Sequence, residues 1–253
     1  MRALITGASS GIGRDMARVL ATKGYELILV ARNEEALRAL AKELKEKNHI
    51  EVETIVTDLA NIENCKDIHT KVKNVDILIN NAGFGDCGNF SKTSLEKEIA
   101  MIDTNVVAYH TLMKLYLRDM KEKGRGKILN VASIAGFMPG PLMATYYATK
   151  SYVVRLSEGI REELKKEKSE VQISILCPGP VKTNFCKVAN VKFHLREADS
   201  MKVAKYAIKK LEKGKLYIVP GIDVKLAKLG AKLVPSSWIS KITYLVHKRK
   251  LER

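Results

Sequence analysis

The feature that most restricts what this chain can become is its opening run, Arg2-Ala3-Leu4-Ile5-Thr6-Gly7-Ala8-Ser9-Ser10-Gly11-Ile12-Gly13, with apolar residues following at Met16, Val19 and Leu20. A short apolar stretch, a glycine-rich turn and then a helical period read as strand, bend and helix. Gly7, Gly11 and Gly13 have no Cβ, so the backbone can turn sharply and come close to a ligand. Around them Ser9, Ser10 and Ile12 complete a bend whose N–H groups and positive helix end suit a diphosphate. Glycine turns between strand and helix are common, so the rest of the chain must decide whether this one holds a dinucleotide.

Downstream, apolar runs and helical patterns alternate. Strands are expected at Leu27 to Ala31, Val52 to Val56, Val75 to Asn80, Lys127 to Val131, Val171 to Cys177 and Leu216 to Val219. Between them lie helical patterns at Glu34 to Lys47, Ile62 to Val72, Leu95 to Lys123, Thr145 to Lys168 and Met201 to Lys213. Such alternation predicts α/β architecture: one Rossmann-type, doubly wound, mainly parallel seven-stranded sheet, its last strand closing an edge. A chain of 253 residues that is 46% hydrophobic can bury one such core. The dinucleotide-binding and catalytic unit is expected over 1–220 and an amphipathic helical extension over 221–253, with no repeat or linker between them.

The first strand begins at residue 2, before any secretory leader could fit, and no apolar run is long enough to span a bilayer; a cytoplasmic protein is expected. Cys65, Cys87, Cys177 and Cys186 show no CxxC pairing and read as reduced packing thiols, and the five histidines have no ligand-like spacing, so no metal is expected. The net charge of +16 raises nucleic acid as a partner. The cations are mostly lysines spread along helical faces without aromatic interleaving. An acidic surface, an anionic substrate or a carrier protein is therefore the expected counterpart, and nucleic acid is not.

At the end of the second strand Ala31 offers no carboxylate for ribose hydroxyls, while Arg32 offers a cation for a 2′-phosphate, which favours NADP(H) over NAD(H), with NAD(H) still open. With Thr6 to Gly13, the motifs Asp58-Leu59, Asn80-Asn81-Ala82-Gly83, Asn105, Ser133, Tyr146-Tyr147-Ala148-Thr149-Lys150 and Pro178-Gly179-Pro180-Val181-Lys182-Thr183 resemble the short-chain dehydrogenase/reductase family in order and spacing. The resemblance covers residues 1 to about 220. It implies that Asp58 bonds the adenine amino group, that Asn81, Ala82 and Gly83 approach the adenosine ribose, and that Val181 and Thr183, after the turn at Pro178 and Gly179, meet the nicotinamide carboxamide. In one respect the pattern departs from NADP-using relatives: Ser10 stands where some have a basic residue.

Tyr146 and Lys150 are four apart on a helical pattern, so both side chains lie on one face. An adjacent ammonium is expected to lower the phenol's pKa from its ordinary value of about 10. Tyr147, with Ser151 four residues on, reads as packing. By resemblance, Tyr146 is the general acid/base, Ser133 orients the substrate oxygen, Lys150 tunes the tyrosine and bonds the nicotinamide ribose, and Asn105 supports a proton relay. On its own residues, Asn105 reads as a satisfied core amide. The expected activity is interconversion of a carbonyl and an alcohol, the rival reading being a catalytically idle dinucleotide-binding or scaffold protein.

Phe185, Val188, Val191, Phe193 and Leu195 lie where relatives carry a mobile substrate lid, and Phe84, Met138, Pro139, Leu142 and Met143 lie in nearby loops. Together they suggest a lipophilic substrate. Beyond residue 220, Ile222, Leu226, Leu229 and Leu233 make one stripe and Trp238, Ile239, Ile242, Leu245 and Val246 another, among eight Lys and Arg and two Asp and Glu. Packing over the active-site mouth is expected of this segment, and a membrane-surface or oligomer contact fits the same pattern. The resemblance also implies a homo-oligomer, dimer or tetramer, built on the helices around Asn105 and Tyr146.

Overall fold

Each alternation of strand and helix resolves into one crossover. The computed structural model describes residues 1–189 and 197–251. Its strands are β1 Arg2–Thr6, β2 Glu26–Ala31, β3 Val52–Val56, β4 Ile77–Asn80, β5 Gly126–Val131, β6 Val171–Leu176 and β7 Tyr217–Ile218. All pair in parallel, in the order β3-β2-β1-β4-β5-β6-β7. The chain steps outward from β1 to β3, returns to set β4 on the other flank of β1, and steps outward again to β7. This is the expected mainly parallel seven-stranded, doubly wound sheet, and its reversal between β1 and β4 opens a crevice at the carboxyl ends of the strands.

Helices α1 (Gly11–Ala21), α2 (Glu34–Asn48) and α8 (Ser200–Glu212) cover one face, where Met16, Leu20, Leu37, Val203 and Ile208 join the sheet's Ile5 and Leu29. The other face receives α3 (Ile62–Lys71), α5 (Ala108–Glu122) and α6 (Ala144–Lys166) through Ile68, Leu112, Tyr116 and Leu164. Each such fully buried aliphatic or aromatic side chain contributes roughly 1.5–3 kcal/mol. Tyr116 keeps its hydroxyl satisfied in that core by donating to the Val72 carbonyl at 3.1 Å.

The helix expected from Leu95 to Lys123 forms, but not as one regular element. It divides into α4 (Leu95–Ile102), a π turn at Asp103–Val107 and α5. One extra residue in the turn re-phases the apolar face, and π turns often accompany functional sites. Asn105 stands in this one. After β6 come a short helix α7 (Phe185–Val188), then α8, β7, α9 (Ile222–Leu233) and α10 (Ser236–Leu251). Val191, Phe193 and Leu195 of the expected lid lie outside the described residues. Cys65, Cys87 and Cys177 are buried, with no disulfide among the described residues.

Both margins of the sheet are blunt. β7 is two residues long, and β3 presents exposed Glu53 and Thr54.

Candidate active site

The glycine bend is held from across the crevice. Gly7 and Gly11 take left-handed φ angles of 63° and 55°, and a Cβ on Gly7 would come within 2.8 Å of Ala82 Cα. A Cβ on Gly13 would collide with the Asn81 carboxamide and the Gly7 carbonyl. That carboxamide donates to the carbonyls of Thr6 (2.9 Å) and Gly7 (3.2 Å), while Thr6 Oγ1 accepts from the N–H groups of Asn81 (2.9 Å) and Ala82 (3.0 Å). Two loops that end neighbouring strands are thereby fastened together. Thr6 was not among the expected site residues, although it stands inside the motif.

The bend fits the diphosphate of a dinucleotide. Asn33, Asn61, Ser94 and Asp199 cap α2, α3, α4 and α8 with side-chain oxygens, whereas Ser10 leaves the first turn of α1 without a side-chain acceptor. Ser9, Ser10, Gly11 and Ile12 are all half-buried along that turn. Free N–H groups at a helix start are what an anion needs.

Beyond the ends of β2 and β3, Arg32 and Asp58 meet as an ion pair at 3.6 Å, both largely exposed. Asp58 also accepts from the Ala60 N–H at 3.0 Å, and Leu59 is buried in the core beneath it. On the far side of the crevice the Pro178 carbonyl accepts from the Ile134 N–H (3.0 Å), and Val181 bridges to Ala198. A Cβ on Gly179 would touch Val224 of α9. Thr183 closes over the glycine bend, its methyl 2.8 Å from where a Gly11 Cβ would stand.

Asn105, Ser133, Tyr146 and Lys150 converge between these walls. Asn105 is fully buried; its Oδ1 accepts from the Phe84 N–H (3.1 Å), and its Nδ2 donates to the Phe84 carbonyl (2.9 Å) and Thr149 Oγ1 (3.1 Å). Thr149 in turn donates to the Tyr146 carbonyl at 2.7 Å, a link legible only in its position between Tyr146 and Lys150. A Cβ on Gly83 would lie 2.7 Å from Asn105 Oδ1 and 3.5 Å from Lys150 Nζ. The satisfied-amide reading of Asn105 is therefore correct for its side chain.

Ser133 stands close enough to the Tyr146 phenol to draw its pKa down, and its Oγ also accepts from the Ala135 N–H at 3.2 Å. Lys150 Nζ donates to the Val131 carbonyl (3.0 Å) and stands 5.8 Å from the centre of the Tyr146 ring. Tyr109 donates to the same carbonyl at 3.2 Å. Burial pushes Tyr146 up to about 12, with the bond from Ser133 pulling the other way, and pulls Lys150 down to about 8. The expected lowering of the phenol by the ammonium is not what dominates: desolvation raises it, and Lys150 Nζ stands over the ring rather than beside the hydroxyl. A phenol so placed keeps its proton at neutral pH and can give it to a developing alkoxide. An ammonium with one of its three donors engaged can still hold hydroxyl groups.

The wall around Tyr146 is apolar. Met101, Met143 and Cys87 pack with it, and so do Phe84, Leu142, Tyr147 and Phe185. The Phe185 ring centre is 5.2 Å from that of Tyr146, and α7 is further tied where Lys97 donates to the Val188 carbonyl at 3.3 Å. Leu142 takes a left-handed φ of 66°, a strained conformation for a branched residue in the loop that forms this wall.

Residues 1–192 match the family model described as short chain dehydrogenase. The very-long-chain 3-oxoacyl-CoA reductase of Anas platyrhynchos is 33% identical over 76% of this chain; the chain spans 63% of that relative's length. A 3-oxoacyl-(acyl-carrier-protein) reductase of Rickettsia prowazekii is also 33% identical, over 79% of this chain and 80% of its own. Among solved structures, a short-chain dehydrogenase of Sphingobium yanoikuyae in complex with NADPH aligns with TM-score 0.84 and 29% identity, covering 92% of this chain and 93% of that one. One from Burkholderia phymatum in complex with NAD aligns with TM-score 0.82 and 26% identity, covering 92% and 94%.

A doubly wound parallel sheet with a glycine bend at its reversal is a frame suited to a dinucleotide, and the relatives it matches are named reductases and dehydrogenases. The chain belongs to the short-chain dehydrogenase/reductase family.

Proposed function

We propose that the protein is an NADPH-preferring reductase of lipophilic carbonyl compounds, with residues 1–220 as its catalytic unit. The observation that carries this reading is Tyr146 beside Ser133 inside an apolar wall, with buried Lys150 held on the Val131 carbonyl behind the phenol ring.

Ser133 donates to the substrate oxygen and fixes it beside Tyr146. Tyr146 holds the proton that this oxygen takes up as it gains charge, and in the reverse direction receives it back. Its raised pKa leaves the phenol with its proton in place at neutral pH, ready to be given up in the reductive direction. A bound nicotinamide dinucleotide supplies or accepts the hydride. Lys150, anchored on Val131, offers its remaining donors to the ribose beside that ring. Asn105 holds Phe84 and Thr149, and through them the wall and the Tyr146 backbone; its place in the π turn supports the proton-relay role the family resemblance implies. Arg32 meets the 2′-phosphate, Asp58 the adenine amino group, Asn81 to Gly83 the adenosine ribose, and Val181 and Thr183 the carboxamide.

The wall of Phe84, Met143 and Phe185 favours an apolar substrate arm. Because both curated relatives are named for 3-oxoacyl reduction, 3-oxoacyl thioesters are the first substrates to offer. We further propose a cytoplasmic homo-oligomer joined through α5 and α6.

The test is NADPH oxidation with a panel of ketones and 3-oxoacyl thioesters. Tyr146→Phe should lower kcat at least a hundredfold, within the usual range for an acid/base residue, while NADPH still binds. Unchanged turnover of every accepted carbonyl would sink the assignment and favour an idle dinucleotide-binding protein.

A further inference from the structure

Each of the two terminal helices packs one face on the body and turns an apolar face away from it. On α10, Ile239, Thr243 and His247 are buried against the body. Thr243 donates to the Pro139 carbonyl (3.1 Å), and His247 bonds the Pro141 carbonyl (2.7 Å) and Tyr147 Oη (3.0 Å). The opposite side of the same helix presents Trp238, Ile242 and Leu245 at i, i+4 and i+7, each more than half exposed. On α9, Val224 is buried and Lys228 lies over the Tyr217 ring, 3.0 Å from its centre. Its outer side carries Ile222, Leu226, Leu229 and Leu233, again each more than half exposed.

Along the edge of both outer stripes run exposed lysines: Lys225 and Lys232 beside the first, Lys241 and Lys248 beside the second. Among the described residues no carboxylate pairs with Lys225, Lys232 or Lys241. An apolar stripe edged by long cationic side chains that can reach sideways, with an indole in the row, matches the boundary between headgroups and acyl chains. None of the described helices is long and apolar enough to cross a membrane, so the segment would lie on the bilayer.

We propose that the outer face of α9 and α10 docks the protein on an anionic lipid surface. Charge selects this occupant over a second copy of the chain. A twofold interface sets the same patch against itself, which would bring Lys225, Lys232 and Lys241 against their own copies, whereas anionic headgroups complement them. The inference rests on this surface alone and not on the proposed reaction, so vesicle binding and turnover can fail separately.

Trp238 is the chain's single tryptophan, so its emission reports this face directly. Intact protein should float with vesicles of phosphatidylcholine and phosphatidylserine and show blue-shifted emission, and both signals should fade with added salt. Replacing Lys225 or Lys232 by Ser should weaken partitioning about fivefold each. The double substitution Leu226→Ser with Leu229→Ser, remote from the indole, should abolish flotation while turnover of a water-soluble ketone persists. If emission and sedimentation do not respond to anionic vesicles at low salt, or if binding ignores both lipid charge and salt, the proposal is wrong. A blue shift that grows with protein concentration without lipid, alongside a doubling in size, would replace it with self-association.

Discussion

Tyr147 Oη and His247 Nε2 lie 3.0 Å apart across 100 positions of sequence, joining the helix that carries Tyr146 to the last helix of the chain. His247 Nδ1–H donates to the Pro141 carbonyl at 2.7 Å, and its Nε2 shares the hydrogen bond with the Tyr147 hydroxyl. Tyr147 is the packing residue that its register suggests, and also the anchor of α10. Tyr147→Phe should cost about 1 kcal/mol and raise hydrogen exchange across α10 more than across β5. Equal protection in both proteins would show that α10 is held by apolar contact alone.

Lys150 should cost the fold stability while it serves the site. Its folded pKa of about 8 lies below the ordinary lysine value of 10.5, so the unfolded chain holds the proton more tightly, and stability rises with pH through the window from 8 to 10.5. Lys150→Met removes the buried cation and should stabilise the protein at pH 7 by up to about 3 kcal/mol, less whatever the bond to Val131 contributes, while turnover is lost. The difference in stability between the two proteins should shrink from pH 8 upward. A gap independent of pH, measured by urea unfolding, would contradict this account.

The parts legible in the sequence were those that local chemistry settles alone. Runs such as Leu27 to Ala31 and Val52 to Val56 are strands because they are apolar or β-branched and bounded by turns, and the i, i+4 spacing of Tyr146 and Lys150 does place both on one helix face. What escaped was set by partners distant in sequence. Nothing in Asp103 to Val107 distinguishes a π turn from an ordinary one, since the turn follows from fitting both α4 and α5 to their neighbours. The rise of the Tyr146 pKa escaped for the same reason: spacing brings the ammonium near but does not reveal that Val131 claims it or how deeply the ring is buried.

Arg32 offers a clean separation of cofactor choice from folding. Its pairing with Asp58 at 3.6 Å is exposed, and such pairs contribute at most about 1 kcal/mol. Arg32→Ala should leave thermal stability nearly unchanged and raise KM for NADPH about tenfold or more, with KM for NADH little altered. Equal effects on both cofactors would remove Arg32 from phosphate recognition.

Gly83→Ala tests the packing of the polar centre. The added methyl would meet Asn105 Oδ1 at 2.7 Å, and that carboxamide cannot swing away without releasing Phe84. The substitution should destabilise the protein by about 1–3 kcal/mol and lower kcat more than it raises KM for NADPH. Full activity would mean that the clamp on Phe84 has slack.

The blunt margins of the sheet carry a consequence for how molecules of this protein can meet. A two-residue strand at one border offers too little ladder for an incoming chain, and at the other border exposed Glu53, paired with Arg2, sets a charged pair beside any chain that would add there. Recruitment of further strands, the first step toward fibres, is disfavoured on both flanks, and the broader surfaces for contact between molecules are the helical layers.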